Sequence, residues 1–247
     1  MSGIRAYALV LLALALGCSD AGTTQPPNVV VFLTDDQGYG DVGAFGATDI
    51  PTPNFDRLAA DGLRLTSFYS APTCTPSRAM LMTGSYGQRV SAPPAYYPWD
   101  DTGLSPDEIT MAEVLRERGY ATGLVGKWHL GHRPPFLPTR QGFDEYFGIP
   151  YSNDMGRKNP LDLSIYPDLP LMDGETVIET EPDQSQLVRR YTERATDFIA
   201  RHADAASRFV DLDGVKVHYK DEGNGPAVVI VHGTFGDLAD WDGWVKT

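Results

Sequence analysis

A cysteine with an arginine four residues later, a lysine and a histidine two apart, and two adjacent aspartates are the groups here whose spacing could do chemistry. The cysteine stands in Cys74-Thr75-Pro76-Ser77-Arg78-Ala79-Met80-Leu81-Met82-Thr83-Gly84. Proline suits the first turn of a helix, where its missing N–H costs nothing. Pro76 therefore predicts a helix opening at residue 74, with backbone N–H groups and the helix dipole favouring an anion beside Cys74. Arg78 falls on the same face and could hold charged oxygens there. The plain alternative is a buried, inert cysteine in front of a helix.

The lysine and histidine stand in Gly126-Lys127-Trp128-His129, directly after the apolar run Ala121 to Val125, which reads as a strand. Alternation along an extended chain puts Lys127 and His129 on one face. A solvated lysine and a structural histidine are the alternatives. Asp35-Asp36 ends a β-branched run, Val29 to Leu33, of the kind that forms a parallel strand covered on both faces. Carboxylates at the C-terminal end of such a strand stand where open α/β sheets bind ligands. Their hard oxygens suit calcium, although a strand-end Asp-Asp can equally be a solvated turn.

The elements that must position these groups alternate. Pro53 to Gly62 reads as a helix with Leu58 and Ala59 inward and Gly62 as its stop. Leu63 to Tyr69 alternates like a strand. Thr110-x-x-Glu113 is a capping box opening a helix with Val114 and Leu115 on its apolar face and Gly119 at its end. The stretch 130–182 reads as long loops, and Leu187, Val188, Tyr191, Ala195, Phe198 and Ile199 make a helical stripe. Strands and helices in alternation predict an α/β sandwich.

Together the segments at 74–84 and 119–129 resemble the two signatures of the type I, formylglycine-dependent sulfatases of arylsulfatase type. Asn28 to Asp36, Pro53 to Leu58 and Thr139 to Asp144 look like scaffold segments of the same family, so the resemblance runs from about 28 to 205. It implies an alkaline-phosphatase-like α/β sandwich and a sulfuric ester hydrolase acting on aryl or carbohydrate sulfates. It further implies that a formylglycine-generating enzyme oxidises Cys74 to an aldehyde, whose hydrate can expel sulfate by collapsing back. By the same resemblance Lys127 contacts the sulfate and His129 hydrogen-bonds a hydrate oxygen. Arg78 supports residue 74, and Asp35, Asp36 and residue 74 bind Ca2+. A phosphatase or phosphonate hydrolase of the same superfamily is the neighbouring reading. Those enzymes present Thr or Ser as nucleophile, and Cys in Cys-x-Pro-Ser-Arg argues against it.

Sulfatases of this kind are usually about twice this length, beyond the ordinary single-domain range. They carry a second metal pair, Asp with Asn or His, late in the chain. No strand ending in such a pair follows residue 130, and Asn153-Asp154 has no strand before it. Instead Phe209 to Asp211 and Val215 to Tyr219 flank Asp213-Gly214 as a hairpin. Ala227 to Val231 then reads as a strand ending in His232-Gly233. Residues 208–247 thus resemble the opening of an α/β-hydrolase, with Thr234 or Phe235 at its oxyanion hole, but no Gly-x-Ser-x-Gly elbow follows. The expectation is a truncated sulfatase domain at 28–205 joined near 200–208 to an incomplete hydrolase domain, weakly active or inactive as it stands. A non-catalytic fusion product and a serine ester hydrolase fragment are the competing readings.

Composition sets the remaining limits. The 247 residues are 42% hydrophobic and 21% charged, enough for a packed core, with a net charge of −13. Such a surface repels nucleic acid and anionic lipid, so no nucleic-acid partner is expected. A sulfate ester then needs a local basic pocket, which Arg78, Lys127 and His129 could supply. At the N-terminus Arg5, the apolar run Ala6 to Leu16 and Cys18 read as an export signal over residues 1–17. A lipid anchor at Cys18 and a tether over 18–27 would follow, giving an exported, periplasmic or membrane-anchored lipoprotein; an ordinary signal peptide is the alternative. With one cysteine in the signal and the other in the motif, no structural disulfide is expected. Tyr96-Tyr97-Pro98-Trp99-Asp100 could stack on a sugar or aryl ring, or simply pack loops.

Overall fold

Each face of the central sheet is selected by side-chain alternation. Leu124, Tyr146 and Met172 point into one apolar cluster, and their neighbours Val125, Phe147 and Leu171 point into another on the opposite face. The computed structural model describes residues 27–158, 165–202, 208–212, 215–219 and 227–232. The strands are β1 (Val29–Leu33), β2 (Ala121–Val125), β3 (Glu145–Gly148), β4 (Pro170–Asp173), β5 (Thr176–Thr180), β6 (Arg208–Leu212), β7 (Val215–Tyr219) and β8 (Ala227–His232). The helices are α1 (Pro53–Asp61), α2 (Cys74–Thr83), α3 (Met111–Glu117) and α4 (Leu187–His202).

Six strands form one sheet in the order β1-β8-β2-β3-β4-β5. β1, β8, β2 and β3 run parallel, and β4 and β5 add on antiparallel. The predicted stripe forms α4, which buries Leu187, Tyr191, Ala195 and Phe198 in one cluster with Val125 and Phe147, and buries Val188 as well. α2 and α3 cover the other face with Ala79, Met82 and Ala112 beside Leu124 and Trp128. The α/β sandwich expected from the sequence is what the chain builds.

Several local expectations are corrected. Residues 145–180 hold β3, β4 and β5 rather than long loops. β3 is only four residues long, too short for periodicity to show, and the β4–β5 hairpin turns at Gly174 with φ 57°. Asp173-Gly174 was the turn signal there. Leu63 to Tyr69 is not a strand: Leu63, Leu65, Phe68 and Tyr69 are exposed in an irregular segment. Alternation alone does not make a strand, because its backbone groups need a paired neighbour. Leu58 of α1 points outward, and α3 buries Ala112 while Val114 is exposed. The capping box is as expected, with Glu113 N–H donating to Thr110 Oγ1 at 3.2 Å and Thr110 N–H to Glu113 Oε2 at 2.8 Å.

The tail supplies one strand to the main sheet and a two-stranded sheet of its own. β6 and β7 pair antiparallel, as the hairpin reading expects, and their turn at 213–214 lies outside the described residues. β8, however, is inserted between β1 and β2 and pairs with both, Leu33 facing His232 and Val125 facing Val231. Thr234, Phe235, the export signal, Cys18 and residues 18–26 lie outside the described residues. At the sheet margin Val31 packs inward, while Val30 and Phe32 of β1 are exposed.

One close approach carries the chain from the sheet into the site. Gly126, at φ 113°, donates its N–H to Phe147 O at 2.8 Å. A Cβ at Gly148 would overlap the Gly126 carbonyl. Gly148→Ala is therefore expected to destabilise the protein by about 1–3 kcal/mol, as overpacking does. Chemical denaturation checks this, and an unchanged midpoint would show that the approach is not fixed.

Candidate functional site

The site is assembled from the start of α2, the segment after β2, the turn after β1 and the loop after β3. α2 opens at Cys74 with Thr73 extended as its N-cap residue. Ser77 donates its N–H to Thr73 O at 3.3 Å, and its hydroxyl lies 2.8 Å from the same carbonyl. Thr75 is fully buried and fastens the helix start to two other segments. Its hydroxyl donates to His129 O at 3.0 Å, and it accepts from Tyr96 N–H at 3.3 Å. The Cys74 thiol is free and partly exposed.

Residues 126–129 run beside 147–150, with Trp128 N–H donating to Ile149 O at 3.0 Å and His129 N–H to Pro150 O at 3.1 Å. The buried Trp128 indole donates to Phe136 O at 2.7 Å. His129 sits at φ 59°, a left-handed conformation. Gly126 and Trp128 continue the hydrogen-bonding of β2 along β3, so Lys127 and His129 leave the sheet from a segment still laid out like a strand.

Lys127 and Asp35 form the buried centre. Lys127 Nζ donates to Asp35 Oδ2 at 2.9 Å and Oδ1 at 3.2 Å, with side chains only 2% and 4% exposed. Ser152 Oγ lies 3.1 Å from the same nitrogen. Arg78 donates to Lys127 O at 2.7 Å and stands 3.6 Å from Asp35 Oδ1. Burial lowers the Arg78 pKa, and Asp35 and then Cys74 pull it back up. Arg78 thus frames Lys127 and Asp35, with Cys74 also among its charge neighbours. Asp36 is exposed at φ 52°. Among the described residues no three His, Cys, Asp or Glu side chains converge as a metal cage. Asp35 and Asp36 are suitable hard donors but fill only part of a calcium shell of six to eight oxygens.

His129 is fully buried, and its Nε2 lies 2.9 Å from Tyr96 O. A carbonyl only accepts, so Nε2 carries the proton and Nδ1 keeps its lone pair, buried without a hydrogen-bond partner. Burial first, then Lys127 and Arg78, hold the His129 pKa well below the usual imidazole range. The ring is therefore a neutral proton acceptor at Nδ1. Sequence reasoning missed Ser152, Thr75 and the Tyr96 carbonyl. Thr75 was visible inside the motif, whereas nothing local marks the other two.

The sulfatase family profile matches residues 27–210. The chain belongs to the sulfatase family. It is 41% identical over 207 residues to arylsulfatase G of Canis lupus familiaris, covering 74% of this chain and 38% of that protein. It is also 41% identical over 229 residues to N-acetylgalactosamine-6-sulfatase of Rattus norvegicus, covering 85% and 43%. The solved PsFucS1 sulfatase from Pseudoalteromonas sp. superposes with TM-score 0.64 at 26% identity, covering 96% of this chain and 49% of its own. A crystal structure of Ps i-CgsB in complex with k-i-k-neocarrahexaose matches with TM-score 0.59 at 27% identity, covering 85% and 45%. The sulfatase chain described here spans about two fifths of the length of these curated relatives and under half that of the solved structures.

Removing one partner of a buried ion pair leaves the other charge uncompensated. Asp35→Ala should cost about 3–5 kcal/mol of stability. Asp35→Ala with Lys127→Met should recover part of that loss in chemical denaturation, and additive losses would mean the pair is not coupled. A second expectation concerns pH. A histidine whose pKa is depressed in the folded state contributes no pH dependence above its unfolded value near 6.5. As pH falls below 6.5 the unfolded chain takes up the proton first, and stability declines. The unfolding midpoint should therefore drop between pH 7 and 5 more steeply in the wild type than in His129→Gln. Equal slopes would show that His129 is not held neutral.

Proposed function

We propose that these residues form the nucleophile-bearing part of a sulfuric ester hydrolase site acting on aryl or carbohydrate sulfates. The observation that carries this is how the start of α2 is fastened: Thr75, next to Cys74, bonds to the His129 carbonyl, while Arg78 bonds to the Lys127 carbonyl and stands beside Asp35, the partner of Lys127. Oxidised to formylglycine, residue 74 would supply a hydrated aldehyde as the oxygen nucleophile and a route for sulfate release. The chain's own residues do the rest. The N-terminus of α2 and Lys127 give positive potential for the sulfate oxygens. His129 Nδ1 can take a proton from a hydroxyl presented to it. Asp35, Arg78 and Ser152 hold Lys127 in one position. Calcium, if bound, would be held by Asp35 and Asp36 and would polarise oxygens as a Lewis acid.

The carbohydrate part of the reading is supported by relatives named for an N-acetylgalactosamine sulfate and for arylsulfatase activity. A similar structure was solved with neocarrahexaose. Maturation by a formylglycine-generating enzyme, export and lipidation at Cys18 belong to the same proposal and rest on the sequence motifs.

Co-expressed with a formylglycine-generating enzyme, the chain should yield a peptide bearing an aldehyde at position 74, absent from Cys74→Ala. Mass analysis finding only thiol there would remove the proposal. Calcium should bind weakly, because two carboxylates are a thin shell. Calorimetry showing tight binding abolished by Asp35→Ala would reveal a fuller ligand set. Turnover of a chromogenic aryl sulfate by these 247 residues alone should be weak or undetectable, since groups acting as a unit fail together.

A further inference from the structure

Beside the site stand three aromatic rings that its chemistry does not use. Tyr97 and Trp99 stack at 4.9 Å between centroids and 4° between planes, and Trp99 and Tyr166 stack at 5.5 Å and 12°. Tyr97 and Trp99 are 38% and 51% exposed. Large aromatic surface left in water and joined in a continuous array is characteristic of a binding surface. The loop that carries Tyr97 and Trp99 is also tied down at its backbone. Tyr97 N–H donates to Asp100 Oδ2 at 2.7 Å, Asp100 N–H donates to Tyr97 O at 3.0 Å, and Asp101 pairs with Arg133 at 2.8 Å.

Its anchorage leads directly into the site. Tyr96, next to Tyr97, accepts the hydrogen bond of His129 Nε2 at its carbonyl and donates its N–H to Thr75, the neighbour of Cys74. The aromatic loop is thus tied through its backbone to the two segments that carry Cys74 and His129. The charge around the rings is informative too. Asp100, Asp101, Asp154 and Asp168 lie nearby, Asp154 contributing after burial to a raised Tyr166 pKa. Arg133 and Arg157 are engaged with Asp101 and Asp168 at 2.8 Å each. The rim thus has aromatic faces and net negative charge, the opposite of a surface built for a polyanion.

We infer that Tyr97, Trp99 and Tyr166 form a stacking platform for the ring that carries the sulfate ester, favouring a singly sulfated sugar or aryl ring over a polysulfated chain. This rests on the sulfatase reading above and adds the substrate's shape and charge to it. Sugar and aryl rings both offer a flat apolar face to an aromatic, and the sulfate is held separately by the basic centre.

The test is calorimetry on the full chain with inorganic sulfate, galactose 6-sulfate, 4-nitrophenyl sulfate and a heparin hexasaccharide. The ring-bearing monosulfates should bind more tightly than inorganic sulfate and more tightly than the hexasaccharide at physiological salt. Trp99→Ala should weaken the monosulfates about tenfold, the scale of a lost aromatic contact, and leave inorganic sulfate unchanged. Trp99→Phe should retain most of the affinity, and matching unfolding midpoints would exclude a folding defect; if Trp99→Ala fails to fold, Tyr166→Ala replaces it with the same expectation. Unchanged monosulfate binding in these variants, or tighter binding of the hexasaccharide, would overturn the platform alone. Failure of inorganic sulfate itself to bind would overturn the sulfatase reading and the platform with it.

Discussion

The buried carboxylate of Asp35 is the interaction on which the rest of the site depends. Two cations lie against it, Lys127 at 2.9 Å and Arg78 at 3.6 Å, in a place almost closed to water. Neither cation could be buried there alone, because an unpaired charge in the interior is strongly unfavourable. The carboxylate is therefore what allows positive charge to be concentrated behind Cys74 in a chain whose overall charge is −13. His129 follows from the same arrangement. Flanked by Lys127 and Arg78 and out of water, it is held neutral, and the Tyr96 carbonyl fixes which nitrogen keeps the lone pair.

That knot ties together segments far apart in sequence. Asp35 follows β1, Lys127 follows β2, Ser152 follows β3, and Arg78 belongs to α2. β1 and β2 do not touch as strands; β8 lies between them and sets their spacing. The Lys127–Asp35 distance is thus a property of the sheet as much as of the two side chains. A tail segment that reads as foreign by resemblance occupies a structurally central position, with backbone hydrogen bonds that any strand of suitable length can make. The exposed Val30, Phe32, Leu63, Leu65, Phe68 and Tyr69 show the converse: apolar, strand-like sequence that the described residues leave uncovered.

Local chemistry was legible in the sequence. The helix start at Cys74, the apolar runs of β1 and β2, the capping box at Thr110 and the α4 stripe each depend on neighbours within a few residues, and each is where the pattern placed it. The fold family and the convergence of Asp35, Arg78, Lys127 and His129 were legible by resemblance. Long-range partners were not. Ser152 looks like any loop serine, the Tyr96 carbonyl carries no side-chain signal, and β8 gives no hint of which strands it will join. Arg78 shows the reach of helical spacing as an argument: the four-residue interval puts it where Cys74 acts on its charge, but gives no sign of its bond to Lys127 O or its approach to Asp35.

The central claim is that residue 74, Lys127 and His129 face one anion, with Asp35 and Arg78 behind them. A crystal structure of the aldehyde-bearing chain soaked in inorganic sulfate tests it most directly. The account predicts sulfate density at the N-terminus of α2, within hydrogen-bond reach of residue 74 and Lys127, with His129 Nε2 still on the Tyr96 carbonyl. Well-ordered protein with sulfate bound elsewhere, and none at the N-terminus of α2, would contradict it.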